Sequence, residues 1–371
     1  MKAVISGGGT GGHIFPAIAI ANAIKNRYPD SELLFVGAEG RMEMEKVPAA
    51  GYRIEGLPIA GLQRKLTFRN VLKNLQLPVK LTQSRRKVRR ILKSFNPDIV
   101  VGVGGFASEP TLKAATAMGY RTLIQEQNSY AGLTNKLLSK RVDKICVAYD
   151  NMERFFPAEK IVFTGNPVRA DIENITPSRE EGMAHFGISS DVEKVVLVVG
   201  GSLGARSINQ MMLNGLETLC GCGISFIWQT GTAMYDKAVS AVESAQMGNQ
   251  IKVHKFISRM DMAYAAASAI VSRAGAIAIS ELCVVGKPVV LIPSPNVAED
   301  HQTKNAMALV DKQAALMVRD AECGSEGIKT MLDLLADNDK QQQLSVNIRK
   351  LARFKAADMI VDEIDKLLKK K

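Results

Sequence analysis

A cluster of glycines near the start of the chain, Gly7–Gly12, is followed directly by His13. Glycine adopts positive φ angles readily and lets backbone N–H groups approach a ligand, so a glycine turn before a helix can hold an anion. The spacing fits G-x-G-x-x-G, whereas a P-loop would need lysine where His13 stands. The cluster therefore predicts a phosphate or pyrophosphate site, with His13 as a candidate base or anion ligand.

Two further polar motifs occur in the first half of the chain. Gly102–Pro110 contains another glycine turn, and Gln125–Asn128 places four polar residues where a strand is expected to end. Burying polar side chains costs free energy unless a ligand or a partner satisfies them. Glu126 is therefore open to two interpretations, a general base or a carboxylate that braces a loop.

The second half of the chain repeats this arrangement. One apolar run ends in the glycine turn Gly200–Ala205, and another leads through Ser272–Ala276 into a predicted helix. The N-terminus of that helix can stabilise a nucleotide diphosphate, and Glu281 can accept hydrogen bonds from ribose hydroxyls. Glu299–Asn305 is a polar loop at a further strand end. The sequence has no metal-site spacing, which predicts that the diphosphate is held without a metal, and we expect no cofactor.

Alternating strands and helices must position these motifs. Such alternation in both halves is typical of parallel sheets covered by helices on both faces. We predict two doubly wound α/β domains, 1–165 and 166–345, facing each other across a cleft, with a C-terminal helix at about 346–371 packing back on the first. The predicted strands are Lys2–Ser6, Glu32–Val36, Ile99–Val103, Thr122–Ile124, Lys144–Val147 and Ile161–Thr164, then Val195–Val199, Ser225–Gln229, Ile251–Lys255, Ala269–Ser272, Val289–Ile292 and Leu316–Val318.

The positive charge of the chain is concentrated in one stretch. The net charge is +11, and the 11 basic residues between Gly56 and Pro97 are accompanied by no acidic residue. Their mixture with leucine and valine predicts that the region 62–93 contacts an anionic membrane surface. A solvated helix face and a nucleic-acid site are the alternatives, and the scarcity of aromatic side chains disfavours nucleic acid. Five scattered cysteines and the lack of a bilayer-spanning apolar stretch predict a cytoplasmic protein.

Eight motifs, taken in chain order, closely resemble those of the MurG family of bacterial glycosyltransferases (glycosyltransferase family 28). They are Gly7–Pro16, Gly102–Ser108, Glu126–Asn128, Ala131–Lys136, Gly165–Arg169, Gly200–Ala205, Ala274–Glu281 and Asp300–Asn305. The resemblance implies a GT-B fold of two Rossmann-like domains, the first for the acceptor and the membrane and the second for the UDP-sugar.

The same resemblance implies an activity and a location. The activity is transfer, with inversion, of N-acetylglucosamine from UDP-N-acetylglucosamine to the 4-hydroxyl of lipid I, the undecaprenyl-pyrophosphate-linked N-acetylmuramoyl sugar. The location is the cytoplasmic face of the inner membrane, which leaves open contacts with cell-wall or division proteins. The alternatives are another UDP-sugar-dependent GT-B transferase and a non-catalytic sugar-nucleotide binder. A nicotinamide-dependent dehydrogenase would explain the first glycine cluster but not the second half.

Carried over position by position, the resemblance also implies the site residues. His13 and Glu126 are the candidate bases, Glu281 would hold the ribose, and Ile257 would meet the uracil through its backbone. The donor contacts would be Thr10, Gly11, Gly12, Asn128, Arg169, Ser202, Ile257, Ala276, Ile277, Ala278, Ile279, Ser280, Glu281 and Gln302. The acceptor pyrophosphate would meet Gly8, Gly9, Gly104, Gly105 and Ser108. The chain departs from the family pattern at Phe106, Gln125 and Ala274, where tyrosine, histidine and serine are usual, and backbone donors are expected to compensate there.

Overall fold

The chain folds into two compact units. In the computed structural model, which describes residues 1–59 and 77–369, the first unit comprises the residues up to Val168 and those from Lys355, and the second is Arg169–Phe354. The sequence placed the two boundaries after residues 165 and 345. The second boundary lies later in the structure because residues 346–350 complete the helix Asn338–Lys350, which belongs to the second unit.

The first unit is built on a sheet of seven parallel strands in the order β3-β2-β1-β4-β5-β6-β7. Chain order therefore reverses between β1 and β4, which lie side by side. The strands are β1 Lys2–Ser6, β2 Glu32–Ala38, β3 Arg53–Leu57, β4 Ile99–Gly102, β5 Arg121–Glu126, β6 Lys144–Val147 and β7 Ile161–Phe163. Among these strands only β3 lacks a counterpart in the sequence prediction.

Helices cover both faces of this sheet. On one face Ile14 and Ile24 pack with Ile360 of the last helix, and on the other Val88 and Leu112 pack against the strands. The first helix buries such residues at spacings of three and four, the period of an amphipathic helix. The helices are Gly11–Arg27, Glu43–Ala49, Leu77–Phe95, Ser108–Ala117, Leu133–Leu138 and Ala356–Lys369, with short 3₁₀ turns at Met152–Arg154 and Ala158–Lys160.

The last helix, Ala356–Lys369, returns to the first unit and packs against Gly11–Arg27. Arg27 pairs with Asp362 at 2.5 Å and with Asp365 at 3.0 Å. Hydrophobic contacts from Ile360 and its neighbours complete the docking. The first unit thus obtains part of its core from residues that follow the whole second unit in sequence.

The second unit repeats the architecture with six parallel strands in the order β10-β9-β8-β11-β12-β13. Its strands are β8 Lys194–Val199, β9 Ile224–Gln229, β10 Ile251–His254, β11 Ala269–Ser272, β12 Val289–Leu291 and β13 Leu316–Met317. Its helices are Ala170–Glu173, Arg179–His185, Arg206–Asn214, Leu216–Leu219, Tyr235–Ser244, Met260–Ala266, Ala276–Val285, His301–Val310, Cys323–Ala336 and Asn338–Lys350, with 3₁₀ turns at Thr232–Met234, Ala298–Asp300 and Asp320–Glu322.

The core of the second unit surrounds Trp228, the only tryptophan of the chain, which is fully buried. Its indole N–H donates to Asn209 Oδ1 at 3.0 Å, and Asn209 Nδ2 donates to the carbonyl oxygen of Thr230 at 2.8 Å. A buried indole N–H needs such a partner. The bridge ties the helix Arg206–Asn214 to the carboxyl end of β9.

Part of the basic region predicted at 62–93, residues 62–76, lies outside the described residues. The remainder belongs to the helix Leu77–Phe95, which buries Val88 and Leu92 and leaves basic side chains in solvent. Within residues 1–59 and 77–369, no helix combines the length and the apolar character that spanning a bilayer requires.

Candidate active site

The glycine motifs lie where chain order reverses in each sheet. Ser6 pairs with Gly102 across β1 and β4, so the turns after these strands leave the sheet side by side. In the second unit Val199 pairs with Ser272, which places the turns after β8 and β11 in the same relation. Open α/β sheets bind ligands beyond the carboxyl ends of their strands at this switch point. Each unit therefore has a candidate ligand site at this edge.

In the first unit the two glycine turns are in close contact. A Cβ atom on Gly7 would lie 2.1 Å from Val103 Cγ2, and one on Gly105 would lie 2.3 Å from the carbonyl oxygen of Gly8. Gly9, Gly104 and Gly105 have φ angles of +89°, +89° and +85°, which side chains rarely adopt. Glycine is required here for both close approach and backbone conformation.

His13 lies on the first turn of the helix Gly11–Arg27, between the two glycine turns. Its Nδ1 is 3.1 Å from the carbonyl oxygen of Gly8, and a Cβ on Gly104 would lie 2.9 Å from its Nε2. A carbonyl oxygen only accepts hydrogen bonds, so this contact favours the tautomer with the proton on Nδ1 and the basic lone pair on Nε2. The hydroxyl oxygen of Thr10 lies 3.3 Å from the same Nδ1. Thr10, Gly11 and Gly12 surround the start of this helix, and Thr10 and Gly12 are exposed.

The residues predicted to contact the acceptor differ in their accessibility to a ligand. Gly9 donates its N–H to Glu43 Oε2 at 2.9 Å, so that amide is already engaged by a carboxylate. Ser108 is fully buried behind Gly102, and its Oγ finds no hydrogen-bond partner among the described residues. Its hydroxyl is therefore withheld from the surface of the turn. Gly8 is buried, whereas Gly105 is half-buried.

Glu126 ends β5 with its side chain 1 % exposed. Its Oε1 accepts the backbone N–H of Asn128 at 3.0 Å. Its Oε2 accepts the N–H of Gly132 at 3.0 Å and Nδ2 of Asn135 at 2.9 Å. A carboxylate that receives these bonds braces the loop 127–132. The structure therefore favours the bracing interpretation of Glu126 over the catalytic one, and it makes Asn128 part of that brace.

In the second unit Glu281 contacts two side chains, of which the sequence analysis predicted only one as a site residue. Arg169 Nε lies 3.3 Å from Glu281 Oε1, and the hydroxyl of Tyr264 donates to Oε2 at 3.3 Å. Burial raises the pKa of Glu281, and the positive charge of Arg169 only partly opposes that effect. Burial also raises the pKa of Tyr264, so its hydroxyl stays protonated as a donor. Tyr264 was missed because a tyrosine within an apolar helix resembles a core residue.

The helix Ala276–Val285 presents its N-terminus at the end of β11. Gly275 precedes it in an extended conformation, and within the described chain no side chain caps its first amides. Ala276 and Ile279 are buried, whereas Ile277, Ala278 and Ser280 are half-buried. The preceding turn is held by Arg273, another residue missed in the sequence, which donates to the carbonyl of Ile292 at 2.9 Å and pairs with Asp320 at 2.5 Å.

Gln229, at the end of β9, joins the glycine turn that contains Ser202 to Ile257. Its Nε2 donates to the carbonyl of Gly201 at 2.9 Å, and its Oε1 accepts the backbone N–H of Ile257 at 2.7 Å. A nucleobase at Ile257 would therefore meet the carbonyl oxygen of that residue. Ser202 is exposed in the glycine turn. Gln302 accepts the N–H of Ser294 at 2.8 Å and so braces the loop after β12.

Two family models match the chain in the order of its two units. The model described as the glycosyltransferase family 28 N-terminal domain matches residues 3–147, and the one described as the C-terminal domain matches residues 195–361. The chain belongs to glycosyltransferase family 28.

Close relatives in this family share the full length of the chain. A protein of Parabacteroides distasonis is 54 % identical over 370 residues, covering 100 % of this chain and 99 % of its own. One of Cytophaga hutchinsonii is 55 % identical over 367 residues, covering 99 % of this chain and 97 % of its own. Both are named UDP-N-acetylglucosamine–N-acetylmuramyl-(pentapeptide) pyrophosphoryl-undecaprenol N-acetylglucosamine transferase.

The crystal structure of Acinetobacter baumannii MurG superimposes with a TM-score of 0.80 at 27 % identity, covering 98 % of this chain and 99 % of that one. The predicted fold class, two Rossmann-like parallel-sheet domains of the GT-B type, is confirmed.

The three departures from the family 28 pattern have different surroundings. Gln125 is buried and donates from Nε2 to Asn166 Oδ1 at 2.8 Å, so it serves an internal amide network. Ala274 is also fully buried, and its carbonyl faces Asn305 Nδ2 at 3.5 Å. Phe106 is 45 % exposed in the turn after β4. Only Phe106 presents its side chain to solvent.

Proposed function

We propose that this chain transfers N-acetylglucosamine from UDP-N-acetylglucosamine to the 4-hydroxyl of N-acetylmuramoyl-(pentapeptide) pyrophosphoryl-undecaprenol, with inversion, releasing UDP. The observation that carries the proposal is 54 % identity along the whole chain to a relative named for this reaction. The two switch-point sites support it, because a transferase must bind both a donor and an acceptor.

The donor binds to the second unit in this proposal. Glu281 accepts hydrogen bonds from the ribose hydroxyls, and the N-terminus of the helix Ala276–Val285 stabilises the diphosphate. Arg169, within reach of Glu281, exchanges that partner for phosphate oxygens as UDP leaves. The remaining second-unit contacts in this proposal are the backbone of Ile257 and the side chains of Ser202 and Gln302. The other predicted donor contacts, Thr10, Gly11, Gly12 and Asn128, belong to the first unit and stay predictions.

The acceptor binds to the first unit, with its pyrophosphate against the turns that contain Gly8, Gly9, Gly104 and Gly105. The N-terminus of the helix Gly11–Arg27 adds a favourable dipole at the same place. Because Glu43 already accepts the N–H of Gly9, the pyrophosphate is held by the other amides of the turns.

His13 is the base in this proposal. Its Nδ1 is oriented by the carbonyl of Gly8, which leaves Nε2 as the proton acceptor. Glu126 is less suited because its carboxylate already accepts four hydrogen bonds from backbone and side-chain amides of Asn128, Gly132 and Asn135. Loss of a positioned base costs about 10²–10⁴ in rate. His13→Ala should show such a loss of turnover with unchanged UDP affinity, whereas Glu126→Gln should mainly lower thermal stability.

The deciding assay combines purified chain, labelled UDP-N-acetylglucosamine and lipid I. Label in a lipid-linked disaccharide supports the proposal. Binding of UDP-N-acetylglucosamine without transfer would identify a non-catalytic binder, and transfer from a different UDP-sugar would identify another transferase. If His13→Ala and Glu126→Gln both keep the turnover of the unaltered chain, neither residue is the base.

We also propose that the helix Leu77–Phe95 places the first unit on the cytoplasmic face of the inner membrane, where a lipid-linked acceptor lies. Arg86, Arg89, Arg90 and Lys93 are exposed on it. Each basic residue near an anionic surface contributes about 1 kcal/mol. Replacing Arg89 and Arg90 by glutamine should therefore weaken binding to phosphatidylserine vesicles by about 2 kcal/mol, or about 30-fold.

A matched control replaces two exposed lysines elsewhere, Lys46 and Lys237, by glutamine, which makes the same change of net charge. Equal weakening in both double variants would indicate a general charge effect. Binding that ignores both anionic lipid content and salt would contradict the membrane proposal.

A further inference from the structure

A buried carboxylate that belongs to none of the sequence motifs lies beneath the first glycine turn. Glu43 begins the short helix Glu43–Ala49 and is 1 % exposed. Its Oε2 accepts the N–H of Gly9 at 2.9 Å, and its Oε1 accepts the N–H of Ala38 at 3.0 Å. Burying a carboxylate costs free energy, and hydrogen bonds from donors such as these offset that cost. Glu43 therefore ties the turn after β1 to the end of β2.

Two glycines make room for this side chain. A Cβ atom on Gly8 would lie 2.1 Å from Oε1 of Glu43, and one on Gly37 would lie 2.6 Å from its Cγ. Gly8 has a φ of +153°. The turn is thus shaped around the carboxylate, and a change at Glu43 is transmitted directly to the backbone of Gly8 and Gly9.

The peptide held in this way orients His13. Gly9 donates to Glu43, and the carbonyl oxygen of the preceding residue, Gly8, accepts from His13 Nδ1 at 3.1 Å. The carbonyl of Gly8 and the N–H of Gly9 belong to one peptide plane, so fixing the N–H fixes the direction of the carbonyl. Glu43 thereby acts on the imidazole through a single rigid group.

We infer that Glu43 is a positioning residue that holds the imidazole of His13 in the Nδ1-protonated tautomer, with Nε2 as the basic nitrogen. The catalytic consequence rests on the proposed function, in which His13 is the base, whereas the tautomer itself does not. In a catalytic triad a carboxylate bonds the histidine directly and fixes its tautomer. Here a peptide group lies between the carboxylate of Glu43 and the imidazole of His13.

The test uses Glu43→Gln in the full chain, with Glu45→Gln as the control. Glutamine keeps the shape of the side chain but offers one acceptor oxygen, so its NH₂ group opposes one of the two backbone N–H donors. Glu45 lies on the same helix with an exposed carboxylate, so its replacement makes the same change of charge without touching the turn.

The direct readout is the ¹⁵N spectrum of histidine-labelled protein. The chain has only 4 histidines, and His13→Asn assigns the signal of His13. We expect a protonated Nδ1 and an unprotonated Nε2 in the unaltered chain and in Glu45→Gln, and averaged tautomers in Glu43→Gln. A protonated Nε2 in the unaltered chain overturns the inference without recourse to any variant. Unchanged His13 signals in a folded Glu43→Gln overturn it as well.

Turnover provides the second readout and separates the two proposals. Misplacing a reacting group by 1 Å can cost about 10² in rate. Glu43→Gln should therefore lower kcat about 100-fold and shift the pH profile of turnover, with unchanged KM for UDP-N-acetylglucosamine. If the tautomer changes but His13→Asn retains full turnover, the assignment of His13 as base fails and the positioning by Glu43 stands.

Discussion

The contact between the two glycine turns of the first unit can be tested by adding a single methyl group at Gly105. A Cβ there would lie 2.3 Å from the carbonyl oxygen of Gly8 and 3.0 Å from its nitrogen. Ordinary contacts need more than 3 Å, so the turns must separate by about 1 Å in Gly105→Ala. The atom in the way is backbone, which has no rotamer by which to move aside.

Gly9→Ala isolates this steric effect from the cost of the backbone conformation. Gly9 has a φ of +89° against +85° for Gly105, but a Cβ on Gly9 would find Phe106 no closer than 3.9 Å. Alanine in the left-handed region costs about 1–2 kcal/mol in both variants, so that contribution cancels. What remains is a displacement of about 1 Å next to the base, which can cost about 10² in rate, or about 2.7 kcal/mol of barrier.

The assay measures kcat for transfer of N-acetylglucosamine at saturating donor, together with the melting temperature of each variant. We expect Gly105→Ala to be about 100-fold slower than Gly9→Ala, with UDP affinity intact in both. Gly40→Ala, at a φ of +68° with no atom within 4 Å, reports the conformational cost away from the site. Equal turnover of Gly105→Ala and Gly9→Ala would refute the argument that contact between the turns positions the base.

Three further outcomes follow from the described contacts. Burial raises the pKa of Glu281, so its carboxylate should become protonated at pH values above the ordinary glutamate range. UDP affinity, measured by calorimetry, should fall as the pH drops through that range, because the protonated group accepts ribose hydroxyls less well. Glu281→Gln should show a weaker affinity without that pH dependence. Asn209→Ala leaves a buried indole N–H and a carbonyl unpaired, and it should lower the free energy of unfolding by about 2–4 kcal/mol in urea titrations followed by Trp228 fluorescence; an unchanged midpoint would contradict this. Arg27→Ala removes two partly exposed ion pairs, so hydrogen exchange in Ala356–Lys369 should accelerate by a factor that corresponds to at most about 1 kcal/mol per pair. That acceleration should shrink at high salt, and exchange that is insensitive to both changes would mean that the apolar contacts alone dock the helix.

The sequence predicted the central strands and their glycine turns because both are local signals. A fully buried strand such as β1 or β8 is a continuous apolar run, and a positive φ angle at its end requires glycine. The edge strand β3 was missed because Arg53–Leu57 contains charged residues, which a strand with one neighbour can leave half-exposed.

The missed site residues act over long sequence separations. Glu43 contacts Gly9 across 34 positions, and Gln229 contacts Ile257 across 28, so no local pattern encodes either pair. Glu126 illustrates a different limit. Its burial requires polar partners, and the chain itself supplies them from Gly132 and Asn135, so none is left to a ligand.

The return of Ala356–Lys369 to the first unit has a consequence for biosynthesis. During translation, all seven strands of the first sheet are synthesised before the second unit, yet one face of that sheet lacks Ile360, Val361 and Ile364 until the second unit has been made. The nascent first unit therefore carries an uncovered apolar surface for the time needed to synthesise Arg169–Phe354. That interval, and not the completed protein, is when a chaperone would have the most to shield.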